Sequence, residues 1–159
     1  GSIGMQWPPS PGPGSNLNGC DLSGTSLRKA NLSGSSMVGT KFNNADLCGA
    51  NLSSSQLRNA QFNGALLFRA NLSSSGCRGT QFNDETIFCL TRTCNGAVRN
   101  DDCPTTVDPN TLCCDDADCP TGTMCCLRQA VEERALIERP RIVVGTCLAS
   151  CPVAEPRPE

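Results

Sequence analysis

The sequence predicts an all-β solenoid over residues 15–89, followed by a small region stapled by disulfides. Three observations carry this. An apolar residue recurs at every fifth position, a small residue stands two places before nearly every one of them, and a second period of twenty overlies the first. Internal repetition decides the architecture before local propensity does. Neither the helical period of 3.6 nor the strand period of 2 produces a spacing of five.

The chain opens with an extended arm, residues 1–14, rich in proline and glycine around Pro8-Pro9-Ser10-Pro11-Gly12-Pro13-Gly14. Its start, Gly1-Ser2-Ile3, fits either a removed leader or a cloning remnant. Ile3, Met5 and Trp7 alternate with small or polar residues ahead of the prolines, the pattern of a short strand that adds to a neighbour.

From Ser15 the chain divides into fives. The apolar centres are Leu17, Leu22, Leu27, Leu32, Met37, Phe42, Leu47, Leu52, Leu57, Phe62, Leu67, Leu72, Cys77, Phe82 and Ile87. The small positions run from Ser15 to Thr80 without a break, and only Glu85 departs from the rule. Phe42, Phe62 and Phe82 recur at intervals of twenty, as do the Asn-Leu-Ser units beginning at Asn31, Asn51 and Asn71. A coil of twenty residues stacks the three phenylalanines on one inner side. Cys20 and Cys77 fall on inward positions, as small buried hydrophobes.

The units Ala30-Asn31-Leu32, Ala45-Asp46-Leu47, Ala50-Asn51-Leu52 and Ala70-Asn71-Leu72 resemble the pentapeptide-repeat family. The resemblance implies a right-handed quadrilateral β-helix in which four pentads make one square coil. Some members of that family act as DNA mimics on topoisomerases, which requires a strongly negative face. Residues 15–89 carry six Lys and Arg against four Asp and Glu, a net +2, which argues against mimicry. Six scattered cations also form no basic stripe, so no nucleic-acid partner is expected. No apolar run is long enough to span a bilayer.

The chain has thirteen cysteines and no histidine. Without imidazole no nucleophile–base pair or common metal set can be assembled, so no catalytic residue, metal ligand or cofactor is expected, and an enzyme least of all. Ten of the cysteines lie in the last half: Cys89, Cys94, Cys103, Cys113, Cys114, Cys119, Cys125, Cys126, Cys147 and Cys151. Their density favours a disulfide framework over an all-cysteine zinc site, and with it an extracellular or other oxidising compartment. Cys94 follows Cys89 closely enough to pair with it across a turn. Cys48 is left over, just after a centre, as an outward thiol available for an intermolecular bond or partly covered beside Phe68 and Phe88.

Cys103-Pro104, Cys113-x5-Cys119-Pro120, Cys125-Cys126 and Cys147-x3-Cys151 resemble the whey-acidic-protein four-disulfide core. That resemblance implies pairs Cys103–Cys126, Cys113–Cys147, Cys114–Cys125 and Cys119–Cys151, and an inhibitory loop at 104–112. The adjacent Cys113 and Cys114 and the long gap between Cys126 and Cys147 depart from the family's pattern. Residues 128–138 have helical composition, and Ile142, Val143 and Val144 read as a short strand able to pair with the solenoid's end or with another subunit. Clustered Asp115, Asp116 and Asp118 lack an EF-hand spacing and make a weak calcium signal.

Function follows from the ends. An open solenoid presents unpaired backbone at each end and invites stacking. The expectation is a secreted structural protein that assembles head-to-tail with copies of itself into a fibre or layer, through the solenoid ends and the arm. A monomeric binding module or protease inhibitor acting through the four-disulfide-like region is the alternative. The three Asn-Leu-Ser sequons add candidate glycans at Asn31, Asn51 and Asn71.

Overall fold

A computed structural model describes residues 11–103, 112–126 and 145–149. The chain divides into two compact units, residues 1–103 and 104–159.

The first unit is a β-helix whose coils stack through parallel bridges. Ten bridges, from Asn16↔Ser36 to Gln61↔Gln81, join residues twenty apart. Each pentad is a short extended step followed by a turn, and the backbone accounting of one pentad shows why the period is five. In Ala45–Gly49, Asp46 N–H donates to the Thr25 carbonyl of the preceding coil at 2.9 Å. Leu47 and Gly49 N–H donate to Leu66 and Phe68 of the following coil at 2.9 and 2.8 Å. Ala45 N–H closes the preceding corner on Phe42 at 3.0 Å. One N–H remains, that of Cys48, and the Asp46 side chain accepts it at 3.1 Å. All five donors of the pentad are satisfied, as a buried backbone requires.

This is the physical content of the Ala-Asn/Asp-Leu motif. Asn16, Asp21, Asn31, Asn51 and Asn71 cap the same N–H in their own pentads, at 2.9–3.1 Å. Where the capping residue is Ser36 or Gln61, Asn18 or Asn43 of the preceding coil accepts the bond instead. The corner residue two after each centre has a positive φ, from Gly19 through Gly79. Glycine adopts that conformation without strain. At Gly79 a side chain would also strike Asn59, whose Oδ1 lies 2.2 Å from where a Cβ would sit.

The core is a narrow column of centres. Leu32, Met37, Phe42, Leu47, Leu52, Leu57, Phe62 and Leu67 are all fully buried. Phe42 and Phe62 stack at 4.9 Å with planes 9° apart, and Phe62 and Phe82 at 5.5 Å and 17°. Hydroxyls at the small positions tie coils together. Thr40, Ser55, Ser75 and Thr80 donate to the carbonyls of Leu17, Leu32, Leu52 and Leu57 one coil back, at 2.7–3.0 Å.

The sequence predicts Ile87 as the last centre, but the structure places Phe88 there. The corner at Asn83–Glu85 holds one extra residue, so the bridges become Leu66↔Ile87 and Asn71↔Arg92, twenty-one apart. Thr86, not Glu85, fills the small inward position. It is 2% exposed and donates to the Phe62 carbonyl at 2.8 Å. The coil also runs past residue 89, since Thr91 is buried and Ser74 N–H reaches the Cys94 carbonyl at 3.0 Å. A two-stranded antiparallel hairpin, β1 (Thr91–Arg92) and β2 (Val98–Arg99), then turns the chain back. The first-coil leucines Leu17, Leu22 and Leu27 are buried, at 4, 3 and 8% exposed.

In the second unit, β3 (Leu112–Cys113), β4 (Met124–Cys126) and β5 (Gly145–Leu148) form an antiparallel sheet in the order β3-β5-β4. Residues 128–138, Ile142, Val143 and Val144, and the arm with Ile3, Met5 and Trp7, lie outside the described residues. No described helix is long and apolar enough to cross a membrane.

Candidate functional site

The tail end of the solenoid is half closed. Over residues 88–93 of the last coil, the returning chain supplies the partners that a further coil would provide. Phe88 N–H donates to the Asp102 carboxylate at 3.0 Å, Leu90 N–H to the Asn100 side chain at 2.7 Å, and Thr93 N–H to the Ala97 carbonyl at 2.8 Å. Over residues 75–82 no described residue does so. Among the described residues, the N–H groups of Cys77, Gly79 and Phe82 and the carbonyls of Ser75 and Thr80 have no hydrogen-bond partner.

Phe82 ends the ring column at this open half and is 37% exposed. Phe88 meets it edge-on at 5.2 Å, and the Arg99 guanidinium lies 3.7 Å from the Phe88 ring centroid. Asp101 pairs with Arg99, and that hydrogen bond holds its carboxyl below the usual carboxylate range. A recess of about 380 Å³ opens here, lined by Leu72, Phe82, Phe88, Thr93 and Arg99 among others. Two disulfides brace this end, Cys77–Cys94 and Cys89–Cys103.

Those bonds correct two expectations. Cys89 does not pair with Cys94, because Asp102 returns against Phe88 (Asp102 N–H to the Phe88 carbonyl, 2.8 Å) and brings Cys103 to Cys89. Cys77 is not a bare buried thiol but the partner of Cys94. Cys20 is the free cysteine among the described residues, half-buried against the core.

Cys48 offers no exposed thiol. It is fully buried and disulfide-bonded. Its outward side of the coil is apolar and covered: Leu66, Phe68, Ile87 and Cys89 are 7, 1, 5 and 2% exposed. Outward apolar residues at 48, 66, 68, 87 and 89 are the signal in the sequence that marks this side.

In the second unit the pairs are Cys113–Cys125 and Cys119–Cys147, and Cys114 is also disulfide-bonded. The pairing implied by the four-disulfide resemblance is therefore not the one found for Cys103, Cys113, Cys119 or Cys125. The antiparallel sheet sets Cys125 opposite Cys147, with Cys113 on the far side of β5. The sulfurs of Cys113, Cys119 and Cys147 lie within 4.8 Å of one another, but all three are used in disulfides. Asp118 accepts the N–H groups of Cys114 and Asp115 at 2.7 and 3.3 Å, so this carboxylate closes a local turn. Cys151 and residues 104–111 of the inhibitory-loop reading lie outside the described residues, as does the side chain of Cys126.

Asn31, Asn51 and Asn71 stand in one column, joined by the bridges Asn31↔Asn51 and Asn51↔Asn71. Their side chains cap their own pentads.

A family model of pentapeptide repeats matches residues 15–53, 30–67 and 50–84, with eight copies of the repeat. Among solved structures, a pentapeptide repeat protein of the Arabidopsis thaliana thylakoid lumen is 36% identical, over 46% of this chain and 57% of its own, with a TM-score of 0.38. HetL, a pentapeptide repeat protein involved in heterocyst differentiation regulation in the cyanobacterium Nostoc, is 27% identical over 53% of this chain and 40% of its own, with a TM-score of 0.33. Rfr23 of the cyanobacterium Cyanothece is 34% identical over 45% of each chain, with a TM-score of 0.27. This chain thus spans about half the length of these relatives, from 40% to 57%. A comparison with curated proteins returned no match. Over residues 15–84 this chain is thus similar to the pentapeptide repeats.

Proposed function

We propose that this chain is a structural protein rather than an enzyme, that it matures in an extracellular or other oxidising compartment, and that it joins to copies of itself through its solenoid ends. In this reading the coil is right-handed and four-sided.

The observation that carries the proposal is the half-open tail. A strand edge with free donors and acceptors is a template for pairing, and proteins that stay monomeric cover it. Here the returning chain covers one half, and among the described residues nothing meets the N–H groups of Cys77, Gly79 and Phe82 beside an exposed aromatic ring. The head is complementary in kind, since the N–H groups of Asn16, Asp21, Ser26 and Asn31 are also unpaired among the described residues. Because Leu17 and Leu22 are already covered, the joint uses backbone edges and Phe82 rather than two bare apolar cross-sections. The disulfides support the compartment, since such bonds persist where thiols are oxidised.

Sedimentation velocity under non-reducing conditions tests this over a wide concentration range. Mass should grow with concentration, and Phe82→Lys, which places a charge on the open edge, should suppress the growth. A species that stays at 16.7 kDa throughout would sink the proposal.

A further inference from the structure

We propose that the Asn31–Asn51–Asn71 column is an N-linked glycan attachment face, occupied first at Asn31. The proposal rests on the compartment assigned above and adds a modification that self-association does not require.

The capping role does not by itself call for asparagine. Asp21 and Asp46 cap the corresponding N–H groups of Ser23 and Cys48 equally well, each at 3.1 Å. Asparagine adds the side-chain nitrogen, and in this column that nitrogen is free among the described residues. Each Oδ1 accepts both the N–H and the hydroxyl of the serine two residues on. The hydroxyl bonds are 2.7, 2.6 and 2.7 Å for Ser33, Ser53 and Ser73. Nδ2 of Asn31, Asn51 and Asn71 donates to no described group, whereas Nδ2 of Asn43 is spent on Gln61 at 2.9 Å.

Position gives the second argument. The chain has thirteen asparagines, and the three in Asn-x-Ser sequons all fall in this one column. Asn31 is exposed at the head of the column, while Asn51 and Asn71 are half-buried. Coils about 4.8 Å apart cannot carry branched glycans on successive residues. A glycan on Asn31 therefore excludes one on Asn51, and the half-burial of Asn71 disfavours that position, which leaves Asn31 as the site of full occupancy. The column also lies on a side whose tail is closed by Ala97, away from the open edge at Ser75–Phe82.

The chemistry is a displacement on a polyprenyl-diphosphate oligosaccharide. Asn31 Nδ2 forms a bond to the sugar's anomeric carbon and loses a proton. The anomeric C–O bond to the diphosphate breaks, and the polyprenyl diphosphate leaves.

The test is intact mass of the chain secreted from a eukaryotic host, before and after peptide-N-glycosidase, with disulfides counted on the same sample by thiol alkylation. The expected result is loss of a single oligosaccharide mass on treatment. That loss should disappear in Asn31→Gln and equally in Ser33→Ala, which keeps the Asn31 cap on the residue 33 N–H. A disulfide-bonded chain with no mass shift overturns the glycan proposal alone. An unshifted chain with free thiols overturns the compartment reading as well. Equal occupancy of all three asparagines overturns the single-site limit.

Discussion

Replacing Phe62 with alanine removes the middle ring of the stacked column, and the structure sets how its cost compares with the same change on either side. Phe62 is fully buried between Phe42 at 4.9 Å and Phe82 at 5.5 Å. A buried Phe→Ala change costs about 3–5 kcal/mol, and the loss of two ring contacts puts Phe62 at the upper end of that range. Phe42 is equally buried but has one aromatic neighbour, so about 3–4 kcal/mol is expected. Phe82 is 37% exposed, and about 2 kcal/mol follows from its smaller buried area. The assay is thermal unfolding of the disulfide-intact chain followed by far-ultraviolet circular dichroism. At about 4 °C per kcal/mol for a domain of this size, Phe62→Ala should lower Tm by about 16 °C or more. A Phe42→Ala/Phe62→Ala cycle should show about 0.5–1.5 kcal/mol of coupling. Equal costs at all three positions, or the largest at Phe82, would refute the ring column as a continuous core.

The shifted register makes Thr86→Val cost about 1–2 kcal/mol, because the Phe62 carbonyl loses one of its two donors and the Asn83 N–H loses its acceptor, while Glu85→Ala stays within about 0.5 kcal/mol; chemical denaturation decides, and the reverse order would restore the unshifted pentad. Asp46→Ala removes both the cap on Cys48 N–H and the 2.7 Å ion pair with Arg28, for about 1–2 kcal/mol, whereas Asp46→Asn should keep the cap and lose less in the same assay. Removing the Cys77–Cys94 bridge by double alanine substitution opens a loop of seventeen residues, and equilibrium unfolding should show a loss of about 3 kcal/mol.

The repeat is legible in the sequence because every inner position is filled by the same class of side chain at a constant interval. Burial of Leu32, Phe42, Leu47 and Phe62 follows from that pattern alone. The one-residue slip is harder to see, although two signs of it stand in the sequence. Glu85 falls on a small inward position, and Leu90 falls on the next one of the unshifted register, whereas the structure puts it at the displaced left-handed corner at φ 53°. A strict period absorbs one exception, so an insertion near its last repeat looks like a substitution. Disulfide pairing is illegible for a related reason. Cysteine spacing along the chain says little when the backbone reverses at the β1–β2 hairpin, which brings Cys103 back to Cys89. At the tail, the free N–H groups depend on where that reversal stops, which no local pattern encodes.

This architecture confines its open strand edges to its ends. Within the coils, the pentads send backbone donors forward and back, and in many of them a side-chain oxygen takes up the remaining N–H, as Asp46 does for Cys48. Lengthening such a rod adds core without adding open edge, so an edge left free must lie at the head or the tail. At the tail, Asn100 and Asp102 show that this sequence contains the means to close an edge, and among the described residues they act on one half of it. The inner coils draw their hydrogen bonds and their buried centres from one another, and none of them depends on the open half. Phe82→Lys therefore separates association from folding: it should abolish growth in mass while the Phe42–Phe62 stack remains, the unfolding transition shifting only by the cost of the lost Phe82 contact.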